Sequence, residues 1–136
     1  MTIPRPEPSW LTRPFWAAAN EHRLVRPVCD RCGQSFFTPQ IACPRCASES
    51  WTWTESSGHG TVYSCTTVHR APQEGFATPY VVAIVDLDEG WSMLTNIVGT
   101  DALLATIGSP VKVAWTQIDE QLTLPTFALG PGVTNP

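Results

Sequence analysis

The chain has 136 residues, which bounds it to one domain with a modest core or to two very small units. Its 43% apolar content excludes a disordered chain. Eight basic against twelve acidic residues give a net charge of −4, with Lys112 the single lysine. That balance argues against a non-specific nucleic-acid binder, whose affinity comes from neutralising phosphates.

No apolar run approaches the roughly 18 residues that a membrane span needs. The opening MTIPRPEPSW lacks the apolar stretch of a secretory signal. A cytoplasmic location with reduced thiols is therefore expected. Residues 1–9 are Pro-rich and read as extended. TRPFWAAANEHRLV (12–25) reads as a short helix with Thr12 as N-cap, Pro14 in the first turn, and an apolar face of Phe15, Trp16 and Ala19. Residues 27–47 carry the cysteines, and a Trp-rich bridge, SWTWTESSGHG, follows.

From Thr61 the pattern alternates with a period of two. TVYSCTTVH (61–69), YVVAIVDL (80–87), WSMLTNIV (91–98), VKVAWTQI (111–118) and LTLPTFAL (122–129) are predicted strands. Gly90 in the turn DEG is predicted at positive φ. Between the third and fourth of these strands, GTDALLATIGSP predicts one or two helical turns with a Thr or Asp cap and a stop at Gly108. Three strands, a short helix and two strands is the order of an OB-fold, a five-stranded Greek-key barrel whose closure protects its strand edges. The expected division is an extended and helical segment (1–26), a metal ribbon (27–54), the barrel (55–130) and a loose tail (131–136).

Four of the five cysteines form C-x2-C-x10-C-x2-C: Cys29, Cys32, Cys43 and Cys46. Two residues between paired cysteines let one tight knuckle present both sulfurs to a single ion. Gly33 suits the positive φ of the first knuckle, and Pro44 fixes the second. Four thiolates predict structural Zn²⁺, with iron able to use the same ligands. No coordination position is left for substrate, so the metal is not catalytic. Arg31 and Arg45 lie inside the knuckles and offset the formal −2 of such a site. Disulfides and a redox C-x-x-C are the alternatives, and the reducing compartment disfavours them.

Other candidates for chemistry are sparse. Cys65 and His69 are four residues apart, roughly 13 Å along a strand, too far for a nucleophile and its base. His59 sits between glycines at a strand start. Asp86, Asp88 and Glu89 cluster at a turn, where acids are common for conformational reasons. No catalytic residue is therefore assigned. Trp10, Trp16, Trp51 and Trp53 lie in segments too small to bury them all, which points to a partner surface in the N-terminal half.

The blocks RPFWAAANEHRLVRPVCDRCGQSFFTPQIACPRC, GHGTVYSCTTVHRAP, PYVVAIVDLDEG, IGSPVKV and LPTF, in that order, resemble the DUF35 family of acyl-CoA-associated proteins. The resemblance spans roughly residues 10 to 130. It implies an N-terminal helical segment, a rubredoxin-like zinc ribbon with ligands at Cys29, Cys32, Cys43 and Cys46, and an OB-fold. It also implies a non-catalytic partner of a thiolase-superfamily enzyme, or of a MaoC-like hydratase, that holds the catalytic residues. Steroid side-chain aldolases acting by retro-aldol cleavage are among such enzymes. A heterotetramer with acyl-CoA at the shared interface would follow. An OB-fold nucleic-acid module and a stand-alone acyl-CoA enzyme using His59 or Cys65 are the competing readings.

Overall fold

The computed structural model describes residues 3–130, so the predicted loose tail at 131–136 lies outside the described residues. Helix α1 (Arg13–Asn20) is shorter than the 12–25 pattern suggested. It stops because His22 takes a left-handed φ of 59°. The N–H groups of His22 and Arg23 turn back to the carbonyls of Ala19 and Ala18, a Schellman-type end without glycine. The His22 ring stacks on Trp115 of the barrel, with centroids 5.5 Å apart and planes 7° apart, and this packing offsets the backbone cost. Thr12 occupies the cap position but makes no side-chain cap. Its hydroxyl accepts from the Ser9 N–H at 2.8 Å instead.

The Trp-rich bridge is a strand. β1 (Val25–Cys29) and β2 (Trp51–Glu55) pair antiparallel, from Val25 opposite Glu55 to Cys29 opposite Trp51. The W-T-W-T alternation explains it: Trp51 and Trp53 are half-buried while Thr52 and Thr54 are exposed. The guanidinium of buried Arg26 ties the ends together by donating to the carbonyls of Thr54 and Glu55, at 3.3 and 2.5 Å.

The five remaining strands are β3 (His59–Val68), β4 (Tyr80–Leu87), β5 (Trp91–Val98), β6 (Pro110–Asp119) and β7 (Leu122–Leu129). They close into a barrel in the order β3-β4-β5-β7-β6, with β6 paired back to β3 and a short parallel contact between β5 and β7. This is the expected OB-fold. Gly90 has the predicted positive φ, 88°. The segment between β5 and β6 forms a single 3-10 turn, Ala102–Leu104, with no side-chain cap from Asp101.

Phe127 and Val85 are fully buried at the centre of the barrel. The same core takes in Phe15 and Ala18 of α1, Leu24 just before β1 and Val25 of β1. The N-terminal segments are thus packed onto the barrel and not suspended from it. Asn20 secures the junction: its Nδ2 donates to the Gln121 carbonyl, and its Oδ1 accepts from the Thr123 N–H, both at 2.9 Å. Asn20→Ala is expected to cost about 1–3 kcal/mol, because the N–H of buried Thr123 loses its acceptor. Urea denaturation of the zinc-loaded chain would measure it, and a midpoint unchanged from wild type would refute the clamp.

Candidate metal centre

The end of β1 supplies the first ligand position. The Cys29 N–H donates to the Gln34 carbonyl at 2.9 Å, and the Cys29 carbonyl accepts from Gly33 at 3.0 Å. This closes the first knuckle. The second repeats the pattern, with Ala47 N–H bound to the Cys43 carbonyl at 2.9 Å. Gly33 (φ 77°) and Ala47 (φ 64°) hold equivalent left-handed positions after each C-x-x-C. Gly33 was legible in the sequence; Ala47 was not, because alanine carries no left-handed preference. Asp30 braces the first knuckle by accepting from the hydroxyls of Ser50 and Thr52, at 2.9 and 2.8 Å. The Trp51 indole N–H donates to the Ile41 carbonyl at 3.2 Å across the loop.

The two knuckles bring Cys29, Cys32, Cys43 and Cys46 together, with all four sulfurs within 4.8 Å of one another. The Cys29–Cys46 and Cys32–Cys43 sulfurs are 3.6 and 3.7 Å apart. A tetrahedron with metal–sulfur bonds of about 2.3 Å has edges of about 3.8 Å. The set therefore fits one Zn²⁺, whereas a disulfide would need sulfurs near 2.05 Å. Backbone N–H groups point at the sulfurs: Cys32 to Cys29 at 3.5 Å and Arg45 to Cys43 at 3.4 Å. The Cys32 N–H draws the Cys29 thiol down to about 6 against the opposing effect of burial. The Gln34 N–H pulls Cys32 down too, but burial and the neighbouring thiols outweigh it and push Cys32 up to about 11. One sulfur is thus ready as a thiolate, and metal binding displaces the other protons.

Around the centre lie Phe36, with Trp51 edge-on at 5.8 Å, then Trp53 on Trp51 at 5.4 Å. Phe15, Phe37 and Trp91 continue the aromatic contacts into the barrel, at 5.2 and 5.3 Å from Phe37. Trp16, Trp51 and Trp53 are partly buried against these two cores. Trp10 stays 71% exposed.

The remaining candidates are not brought together. His59 is exposed and lies opposite Lys112 in the β3–β6 register, while Cys65 lies opposite Ala83 in β4. The Cys65 thiol faces the Ala105 carbonyl at 3.6 Å, and His69 lies just past the end of β3. The turn acids serve the fold. Asp86 accepts from the Ser92 hydroxyl at 2.5 Å. Burial opposes ionisation of Glu89, yet the Ser56 hydroxyl and the Ser57 N–H hold its carboxyl below the usual range. The Trp91 indole N–H donates to the same Ser56 oxygen at 3.2 Å, so this network joins the end of β2 to the β4–β5 turn.

Known proteins share this arrangement. Residues 16–52 match the family described as "ChsH2, rubredoxin-like zinc ribbon domain", and residues 53–116 match "ChsH2, C-terminal OB-fold domain". A solved structure described as "Ltp2-ChsH2(DUF35) aldolase" contains a chain 38% identical, with a TM-score of 0.84 over 92% of this chain and 98% of that one. A probable enoyl-CoA hydratase alpha subunit of Thermomonospora curvata is 42% identical over 83% of this chain, but this chain spans only 36% of that protein. A DUF35 domain-containing scaffold protein of Methanothermobacter thermautotrophicus is 32% identical over 74% of this chain and 77% of its own length. In ribbon, barrel and cysteine cluster alike, the chain belongs to the DUF35 family.

Proposed function

We propose that this chain is a non-catalytic accessory subunit of a thiolase-superfamily acyl-CoA enzyme, most specifically a retro-aldol C–C lyase of steroid side-chain degradation. The observation that carries this reading is the similarity to a chain of the Ltp2-ChsH2(DUF35) aldolase over 98% of that chain's length. Structural Zn²⁺ held by Cys29, Cys32, Cys43 and Cys46 would fix the ribbon, with no ligand position left for chemistry. The partner supplies nucleophile, acid and base, which agrees with the separation of His59, Cys65 and His69 here. The subunit supports the partner's fold and lines its acyl-CoA channel, in a cytoplasmic heterotetramer. We also read 1–26, 27–54 and 55–130 as its working units. Among the described residues, no helix is long and apolar enough to cross a membrane.

A hydratase partner is the second reading. It is favoured by the relatives named as hydratase alpha subunits in Thermomonospora curvata and Mycobacterium tuberculosis. Co-expression with the thiolase-like protein and, separately, the hydratase encoded in the same genome distinguishes the two. Co-elution with the thiolase-like protein, and retro-aldol cleavage only by the complex, is the expected result. Failure of that pair to co-elute overturns the reading, and a hydratase complex instead establishes the second. Salt-sensitive micromolar binding of single-stranded DNA would point to a nucleic-acid module.

A further inference from the structure

On the outside of the barrel, where β5 and β7 part company, lies a cleft of about 190 Å³. Its apolar wall is built from Phe76, Tyr80, Ile97 and Leu124, with Ile3 of the N-terminal arm across the opening. Phe76 and Tyr80 are stacked, with centroids 5.5 Å apart. The arm is held over the barrel by Arg5, which pairs with Asp119 at 2.9 Å. The lining includes no charged side chain.

Asn96, Thr116, Thr126 and the Tyr80 hydroxyl break the apolar wall, and the hydrogen-bond directions of the two threonines are constrained. Thr126 donates its hydroxyl proton to the Ala114 carbonyl. Thr116 and Thr126 share a bond of 2.7 Å, so Thr116 must be its donor. Both hydroxyl protons are spent, and Thr116 retains only lone pairs for a ligand. The Asn96 amide nitrogen donates to the Val81 carbonyl at 3.0 Å, and its Oδ1 has no protein partner among the described residues. The cleft therefore presents Asn96 Oδ1 and the Thr116 lone pairs as acceptors, beside the second Asn96 N–H and the Tyr80 hydroxyl, in an uncharged and otherwise apolar wall. Anionic ligands such as carboxylates and phosphates find no cation there.

We propose that this cleft binds a neutral, flat apolar group of single-ring size that carries one hydrogen-bond donor. Size sets the class: an apolar cavity of about 150 Å³ holds one benzene. The stacked Phe76–Tyr80 pair offers an aromatic wall for the ring, and the free Asn96 Oδ1 accepts from its donor. The site is separate from the zinc centre and does not depend on the identity of the catalytic partner.

The test titrates p-cresol and, in parallel, toluene into the zinc-loaded full chain and follows the amide resonances of Tyr80, Val98 and Leu124. Saturable shifts confined to the cleft are expected with p-cresol, with a Kd on the order of 1 mM. Toluene, which lacks the donor, should bind about tenfold more weakly. Asn96→Leu should abolish that preference, and Ile3→Ser, which alters only the arm, should weaken both ligands about threefold. Unsaturable or scattered shifts overturn the proposal. So does a p-cresol preference that survives Asn96→Leu, or affinities unchanged by Ile3→Ser.

Discussion

Cys29→Ser is expected to leave the chain without stoichiometric zinc and with residues 25–55 unprotected from amide exchange. Cys29 holds three roles that one oxygen cannot fill. It is the last residue of β1, paired with Trp51. Its backbone closes the first knuckle in both directions, through Gln34 and Gly33. Its sulfur lies 3.6 Å from Cys46 in a residue only 2% exposed, and the Cys32 N–H draws its thiol down to about 6. Structural zinc contributes on the order of 10 kcal/mol to a ribbon. The cluster around it has only Cys29, Phe36 and Cys43 buried, so little else holds the two knuckles together. Because Phe15, Leu24 and Val25 belong to the barrel core, the loss does not stop at the ribbon. The barrel amides should stay protected, but the barrel's melting temperature should fall. Metal analysis with hydrogen exchange reads both effects. One zinc per chain and a protected β1–β2 pair in the variant would show that the site is not a closed four-thiolate set.

The parts of this molecule legible in the sequence are those whose physics is local. The cysteine spacing encodes the metal centre because each knuckle needs only consecutive residues. The barrel strands show in the period of two because β4 and β5 each turn alternate residues to the core, Val81, Ala83 and Val85 among them. What escaped depends on partners far along the chain. β2 alternates Trp with Thr, but its pairing partner lies inside the cysteine segment, so its tryptophans read as spare aromatic surface. Asn20 gave no signal, since its two backbone partners are 101 and 103 residues away. The Thr12 cap failed for a local reason that composition does not reveal, because Ser9 takes the hydroxyl first. Arg26 carries no local signal of its role, yet it is buried and donates to the carbonyls of Thr54 and Glu55. The lining of the cleft at β5 and β7 comes from four strands, the loop before β4 and the N-terminal arm, which no window of sequence joins.

Gly60→Ala is expected to destabilise the barrel by about 3 kcal/mol, lowering the melting temperature by roughly 10 °C. Gly60 sits where β3 pairs on both sides, with Leu87 of β4 and Val111 of β6, so this residue helps close the barrel. A Cβ there would press into the Asp86 carbonyl oxygen and lie 3.1 Å from the Asp86 carbonyl carbon and 3.0 Å from Val85 Cγ1. The obstacle is backbone, which cannot rotate away, and Val85 is fully buried. Relief requires β3 and β4 to separate, and that strains the hydrogen bonds on the β6 side as well. The comparison that isolates this cause is Gly90→Ala. Gly90 has a positive φ of 88° but open space around its Cβ position. Its replacement carries only the left-handed backbone cost, about 1 kcal/mol. Thermal unfolding of both variants with zinc in excess separates crowding from conformation. If Gly60→Ala loses no more than Gly90→Ala does, the close approach of β4 is not what requires glycine at this position.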